Sequence, residues 1–524
     1  MRDHLVLYLN GTRRAVCGSQ AGLTLSDYLR GAIMSHVPGM SHVPGTPHLP
    51  GTKVACAEGD CGACTVLVGK PSAEGSCFEY VTIDACIAFV YQMDRCHVIT
   101  VEGLKSELTL TDVQTAMIEC HGSQCGFCTP GFVMALHGLI EQRKSEAPGD
   151  QLPGGRLTDD PLTDDELRLG LSGNLCRCTG YAQILDAGQS LHPLAMKNVD
   201  QSFDSAAMLA DLKALGVGPV HVNPRTAGQN ENGSSLPSLA PELFLPNTLD
   251  ELLARRSERP DATLVAGATD LGVQHNHGKI SPTDVLLTLG VEELNRLEFE
   301  ENELTIGAAV SWSRIEAFVR DRVPEYYYIL TRFGSPQIRH AGTLIGNLAN
   351  ASPIADSIPF HYVAGSTLEL ASVGGQRQVP IEEFYLGYKH LDLRPDEVIV
   401  SVRTPLPTAN EHLKLYKISK RRDMDISTVT AAFWIELEDQ TIRTARIAAG
   451  GVGPMVVRLP KAESLLAGKS LTAEAMRAAG RVARKEITPI SDVRGSANYR
   501  LQLVENLFLK CFHDLAPAQQ PVEV

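Results

Sequence analysis

No run in the 524 residues approaches the roughly 18 uninterrupted apolar residues that a membrane-crossing helix requires, so no span of that kind is expected. The N-terminus, MRDHLVLYLNG, lacks the basic start, long apolar middle and small-residue cleavage site of a secretory signal, which predicts a cytoplasmic protein. Positive charge is in deficit. A net charge of -14 argues against a nucleic-acid surface, which needs clustered Lys and Arg to neutralise phosphate. No G-x-G-x-x-G follows a strand-like segment, so a Rossmann dinucleotide fold is not supported. Residues 179–510 contain no cysteine, although the chain has thirteen.

The remaining composition is that of an ordinary globular protein, with 44% hydrophobic and 21% charged residues. The length suggests about three or four domains. Eleven of the thirteen cysteines lie between Cys56 and Cys178, so the front third is built around sulfur and the rest is not. Without a secretion signal, that concentration points to metal or redox chemistry rather than a disulfide scaffold.

Residues 1–30 read as a hairpin, VLYLNG then TRRAVC, followed by a short helix, LTLSDYLRG, with Thr24 or Ser26 as its N-cap. Residues 35–52 form three imperfect hexapeptides, SHVPGM, SHVPGT and PHLPGT. They repeat His36, His42 and His48 at metal-compatible intervals, but read better as a slipped duplication in a surface loop. DVQTAMIEC, GFVMALHGLIEQ and TDDELRLGL carry apolar residues at helical spacing, and Thr163 with Glu166 makes a capping box. Residues 144–163 read as a loop and 198–238 as an interdomain linker. From 239 onward Val/Ile-rich segments alternate with helices, and 414–520 reads as a further α+β unit beginning with a strand near 414–418.

Two sulfur constellations carry the chemistry. Cys56, Cys61 and Cys64, with Cys86 twenty-two residues later, have the C-x4-C-x2-C spacing of a plant-type [2Fe-2S] site. Gly59, Gly62 and Ala63 are small enough to fold tightly over a cluster and turn N–H groups towards sulfur. Zinc loops favour paired short spacings instead. The second constellation joins Cys125 and Cys128 to Cys176 and Cys178. Spacing alone leaves an alternative, because Cys120, Cys125 and Cys128 also approximate C-x4-C-x2-C. An isolated C-R-C flanked by Gly173 and Gly180 favours a turn that presents both Cys176 and Cys178. Cys17, Cys77, Cys96 and Cys511 read as small hydrophobes.

GTKVACAEGDCGACTVLV, GSQCGFCTPGFVMAL and GNLCRCTGYAQILDA resemble, in order, the cluster motifs of the iron–sulfur and flavin subunit of bacterial xanthine dehydrogenases, within the molybdenum hydroxylases. The resemblance spans nearly the whole chain. It implies a multidomain α+β protein with a plant-ferredoxin-like β-grasp domain over 1–105 and a helical-bundle [2Fe-2S] domain over 106–197. After the linker come a vanillyl-alcohol-oxidase-type FAD domain over 239–413 and a C-terminal α+β flavoprotein domain over 414–520. By resemblance Cys56, Cys61, Cys64 and Cys86 hold one cluster and Cys125, Cys128, Cys176 and Cys178 the other, leaving Cys120 aside. Two departures, the hexapeptides and a long 128-to-176 interval, read as surface insertions, and Ala55 stands where glycine is common.

LVAGATDLG (264–272) and AGTLIGNLANASPIAD (341–356) are small-residue segments of the kind that let main-chain N–H groups approach a pyrophosphate, although such segments are commonly tight turns. The resemblance assigns the pyrophosphate to Val265, Ala266, Gly267, Ala268, Thr269, Asp270 and Leu271 and to Thr343–Asn347, including Gly346. It sends Asp356 to the adenosine end, lays Phe333 against the isoalloxazine, makes Ile399 and Lys417 further flavin contacts and puts Tyr388 near the nicotinamide. KISKRRDMDIS (417–427) then shapes access for the final acceptor, and Met424 stands where relatives carry a polar residue. That leaves NAD against O2 open.

The expected function is electron transfer in purine oxidation, from a molybdenum centre through two [2Fe-2S] clusters to FAD and NAD. No segment is left for a molybdopterin domain, so a molybdopterin-binding large subunit is expected as a separate partner, in a dimer of heterodimers. Gln124 matches a position at that contact. The rival readings are an aldehyde or N-heterocycle hydroxylase with the same electron chain, and a zinc-binding scaffold.

Overall fold

The computed structural model describes residues 1–31, 46–104, 109–145, 160–224 and 241–516. The repeats carrying His36 and His42, and most of the expected loop at 144–163, lie outside these residues. Among the described residues no helix is long and apolar enough to cross a membrane. The chain divides into two compact units, one of Met1–Leu252, Asp261–Val291 and Gly334–Gly342, the other of Leu253–Pro260, Glu292–Phe333 and Thr343–Val524.

The first unit begins with the expected hairpin. Leu5–Leu9 pairs antiparallel with Thr12–Val16. Asn10 and Gly11 both take positive φ, the tight turn that matches strand twist. Leu5–Leu9 also pairs in parallel with His97–Ile99, which lies against Thr65–Pro71, itself paired with Phe78–Asp84. Helix Leu25–Arg30 follows the hairpin; Thr24 caps it by accepting from the Asp27 N–H, and left-handed Gly31 ends it. This is a β-grasp arrangement.

The LVLYL strand is buried on both faces. Leu5, Leu7 and Leu9 enter a core with Leu25, Cys64 and Cys86, while Val6 and Tyr8 enter a second core with Phe132, Leu136 and Cys176. The strand therefore separates two cores. The second core is completed by helices Asp112–Glu119, Thr129–Ser145, Asp164–Gly170 and Ala182–Gln189. Thr163 and Glu166 form the predicted capping box. The expected linker is partly ordered structure: helix Ser205–Ala214, capped by Asp204, buries Met208, Leu209 and Leu212 in this second core. Its Asp211 accepts from the Tyr8 hydroxyl at 2.9 Å and the Arg13 Nε at 2.8 Å. A four-stranded sheet of Val220–Val222, Glu242–Leu245, Asp284–Leu287 and Thr263–Val265 completes the unit.

The second unit holds a five-stranded antiparallel sheet, ordered Leu297–Glu300, Glu303–Gly307, Val398–Pro405, Thr367–Ser372 and Gly375–Pro380. A separate antiparallel sheet runs Glu411–Ile418, Val429–Glu438, Thr441–Gly450 and Val457–Arg458. Helices Ala473–Ala483 and Ala497–Leu515 cover it, contributing Met476, Val504 and Phe508 to its core. Buried Arg500 donates to the carbonyls of Thr428 at 2.7 Å and Gly451 at 2.8 Å and to Asp492 at 2.6 Å.

Gly62 tests how tightly the first unit is assembled. Its φ is +65°, and an added Cβ would lie 2.3 Å from the Gly173 carbonyl oxygen. Gly62→Ala should cost about 2–4 kcal/mol, from left-handed strain plus overpacking. Gly75 has a similar φ of +66° but nothing within 4 Å, so Gly75→Ala should cost only about 1–2 kcal/mol. Scanning calorimetry of the two variants checks the difference, and equal losses would mean the contact with Gly173 is dispensable.

Candidate functional site

The eight predicted thiols come together as two sets of four. In the first, Cys56 contacts Cys61 and Cys86, and Cys86 contacts Cys64. In the second, the Cys125 and Cys178 sulfurs are 3.7 Å apart, Cys178 and Cys176 are 3.7 Å apart, and Cys176 contacts Cys128. None of these cysteines is in a disulfide. Among the described residues no three His, Cys, Asp or Glu groups converge as a site for one metal ion. Four thiols in each set match the ligand number of a [2Fe-2S] centre, in which each of two irons takes two thiolates.

The thiols are polarised by their neighbours. Hydrogen bonds from the Cys61 and Cys86 thiols hold Cys56 well below the ordinary thiol range, helped by the Glu58 N–H at 3.4 Å. The bond to Cys56, then burial, pushes Cys61 up. Burial raises Cys176, but the Thr179 hydroxyl at 3.0 Å, its N–H at 3.4 Å, the Cys178 N–H and the Cys128 thiol together bring it down to about 6. Burial, then the contact with Cys176, pushes Cys128 up to about 12. N–H and O–H groups already aimed at sulfur are the environment an anionic iron–sulfur cluster needs.

Cys120 forms the C-cap of helix Asp112–Glu119 and, like Cys128, packs against the second core. The two sets differ in depth: Cys64, Cys86 and Cys176 are buried, whereas Cys125 and Cys178 are exposed, beside exposed Gln124 and Phe127.

A polar seam joins the two thiol loops. The Leu175 N–H donates to the Cys61 carbonyl at 3.0 Å. Asn174 Nδ2 donates to the Gly62 carbonyl at 3.0 Å, and Gln337 Nε2 donates to Asn174 Oδ1 at 2.9 Å and to the Thr65 hydroxyl at 3.2 Å. Asn174, Thr65 and Gln337 are all buried. Asn174 lies inside the GNLCRCTGY turn, yet nothing in the spacing of a single Asn distinguishes it.

The expected flavin residues divide between the units. In the first, Val265 ends a strand and is buried. Gly267 packs so closely that a Cβ would lie 2.0 Å from the Ala341 carbonyl oxygen. Left-handed Ala268 (φ 58°) opens helix Thr269–Asn276 with no side-chain cap, leaving the first-turn N–H groups at Thr269, Asp270 and Leu271 without that competitor.

In the second unit, Thr343 caps helix Leu344–Asn350 by accepting from the Gly346 N–H at 3.0 Å, and Asn347 accepts from the Ser357 hydroxyl at 2.8 Å. Phe333 sits edge-on to Trp312, with ring centroids 4.8 Å apart. Ile399 is buried at a bulge in the five-stranded sheet. Tyr388 is exposed on the hairpin of Tyr385–Gly387 and His390–Leu391. Asp356, which the resemblance sends to the adenosine end, and Lys417, which it makes a further flavin contact, form one buried ion pair at 2.5 Å, and the Ser427 hydroxyl donates to the other Asp356 oxygen at 2.5 Å. Ser427 carries no sequence signal of its own.

Three family models match the chain: a [2Fe-2S] binding domain at 100–189, the FAD binding domain in molybdopterin dehydrogenase at 239–407, and the CO dehydrogenase flavoprotein C-terminal domain at 414–515. Xanthine dehydrogenase 1 of Arabidopsis thaliana is 29% identical over 99% of this chain and 40% of its own length. Xanthine dehydrogenase of Emericella nidulans is 30% identical over 98% and 39%, and that of Drosophila pseudoobscura pseudoobscura 31% over 97% and 39%. The chain thus spans about two-fifths of the length of these relatives. Among solved structures, quinoline 2-oxidoreductase from Pseudomonas putida 86 is 27% identical, covering 52% of this chain and 94% of its own, with a TM-score of 0.49.

The Asp356–Lys417 pair makes a measurable claim. Lys417→Met would strand a buried carboxylate and should cost about 3 kcal/mol, while Lys417→Met with Asp356→Leu should recover most of that loss. Both tryptophans, Trp312 and Trp434, lie in the second unit, so tryptophan fluorescence during urea unfolding reads it selectively. A double variant no more stable than the single one would show that the ion pair is not what matters.

Proposed function

Because this chain belongs to the iron–sulfur and flavin branch of the molybdenum hydroxylases, we propose that it is the electron-transfer subunit of a xanthine dehydrogenase, an oxidoreductase of purine catabolism. The observation that carries the reading is the pair of four-thiol sets, joined by a hydrogen-bonded seam, in a chain that also matches two flavoprotein families. The substrate end is a molybdenum centre on a molybdopterin-binding partner, in a heteromer that we take to be a dimer of heterodimers, and the acceptor is NAD. When bound, the two [2Fe-2S] clusters and FAD supply one-electron carriage and its conversion to two-electron chemistry.

The chain's own residues hold and insulate these groups. Cys56, Cys61, Cys64 and Cys86 provide the four thiolates of the ferredoxin-type site, and Cys125, Cys128, Cys176 and Cys178 those of the helical site. Val265–Leu271 and Thr343–Asn347 offer main-chain N–H groups to the FAD pyrophosphate. Phe333 offers a ring face to the isoalloxazine, with Ile399 beside it. Asp356 and Lys417 act as one unit, because the carboxylate neutralises the ammonium and Ser427 orients the carboxylate. Exposed Tyr388 and the 417–427 loop suit the acceptor side. Exposed Gln124, Cys125, Phe127 and Cys178 suit the partner side. Thiolate ligands of this kind suit a reducing compartment, in keeping with a cytoplasmic location.

Purification of the chain with whatever binds it should give about four irons and one FAD per chain and two distinct EPR signals. The preparation should reduce NAD in the presence of xanthine. Zinc in place of iron, or no flavin, would overturn the reading, and turnover with an aldehyde or N-heterocycle but not xanthine would reassign the substrate. Cys178→Ser should abolish one EPR signal while Cys120→Ser leaves both, and the reverse outcome would move a ligand to Cys120.

A further inference from the structure

Helix Thr269–Asn276 meets the loops of the ferredoxin-type thiol set along its length, all within the first unit. Just before its N-terminus, the Ala266 carbonyl accepts from Gln92 Nε2 at 3.0 Å. In its first turn, Gly272 lies so close to Ile87 that an added Cβ would be 2.2 Å from the Ile87 carbonyl oxygen. At its last residue, Asn276 Nδ2 donates to the carbonyls of both Ala57 and Cys86, each at 2.8 Å. Next along, exposed His277 Nε2 lies 2.7 Å from Glu58 Oε1.

The Asn276 contact differs from the others in what it touches. Cys86 is one of the four thiols, and Ala57, held at φ 57°, directly follows another, Cys56. One half-buried amide therefore ties the two chain segments that bring sulfur to the site from opposite sides, at the end of the helix whose other end opens the expected pyrophosphate loop. Losing these bonds would leave two carbonyls short of a donor and free the helix to move relative to the sulfur.

We propose that Asn276 is a positioning residue that fixes the ferredoxin-type cluster loop against the flavin-loop helix and so sets both the potential of that cluster and the rate at which electrons pass between it and the flavin. The proposal rests on the cofactor reading above. Each crossing oxidises the cluster by one electron and reduces the flavin by one, and needs no other reactant. The amide places the positive end of its N–H dipoles beside a centre that gains negative charge on reduction. Its removal therefore makes the cluster harder to reduce.

The test uses the full chain carrying its iron and flavin. Asn276→Leu keeps the branched side-chain framework and removes the amide donors. In a mediated redox titration followed by EPR, the ferredoxin-type signal should move to a lower potential while the helical-domain signal stays in place as an internal reference. Rapid-mixing reduction should show electron exchange between that cluster and the flavin slowed about tenfold. His277→Ala, which removes only an exposed contact, should leave both readings unchanged. If Asn276→Leu fails to retain iron, Asn276→Ser is measured instead, and should show the same selective shift. An unmoved potential with an unchanged exchange rate, or an equal shift of both clusters, overturns the proposal. Wild-type chain without two clusters and flavin would instead sink the cofactor reading itself, so the two failures are distinct.

Discussion

The arrangement of the first unit depends on the buried amide of Asn174. A side-chain amide taken from water must find partners inside the protein, and here they are the Gly62 carbonyl, the Thr65 hydroxyl and Gln337. Those partners come from the ferredoxin-type loop and from helix Pro336–Ala341, so satisfying Asn174 requires three distant segments to meet at one place. The small residues follow from that meeting. A Cβ on Gly173 would lie 2.1 Å from Gln337 Oε1, and one on Gly131 would lie 2.2 Å from the Gly62 carbonyl oxygen. Polar satisfaction thus fixes how near the two thiol loops come, and the apolar cores on either side of Leu5–Leu9 fill around them.

Local signals were legible because they are local. The hairpin turn at Asn10–Gly11, the caps at Thr24 and Thr163, and the closely spaced Cys56, Cys61 and Cys64 each depend on residues a few positions apart. The choice between Cys120 and the C-R-C pair is not local, since it depends on which thiols meet across 53 residues: the Cys178 sulfur lies 3.7 Å from that of Cys125, while Cys120 closes the final turn of Asp112–Glu119. The linker reading failed at 205–214 for a related reason. A short helix of modest amphipathicity reads as loose until a neighbouring core accepts Met208, Leu209 and Leu212. The LVLYL strand reads from its sequence only as one arm of a hairpin, and the packing of the helical domain on its second face explains why all five residues are buried.

The second unit meets a different constraint by different means. Two of its buried cations are matched by named partners: Lys417 by Asp356, and Arg500 by Asp492 and two carbonyls. Such pairs add little net stability over apolar packing, but breaking one is costly, so they hold a geometry more firmly than they strengthen a fold. Arg500 pins the strand start at Thr428, one residue after the Ser427 that orients Asp356. A helix near the C-terminus thereby fixes the surroundings of a carboxylate more than a hundred residues earlier, a dependence no window of sequence contains.

Depth imposes an order on the first unit. Cys125 and Cys178 reach the surface, whereas Cys64 and Cys86 are buried, and the Cys86 carbonyl is held by Asn276 at the end of its helix. On the proposed reading, an outside donor meets the helical-domain thiols first, and the ferredoxin-type set is reached from them through the Cys61–Leu175 hydrogen bond. The 265–271 segment proposed for the flavin opens the Thr269–Asn276 helix, whose other end meets that set. Exchanging the depths of the two sets would mean dismantling the Asn174 seam on one side and the Asn276 contact on the other, so the polar contacts that join the thiol loops also hold which thiols are buried and which reach the surface.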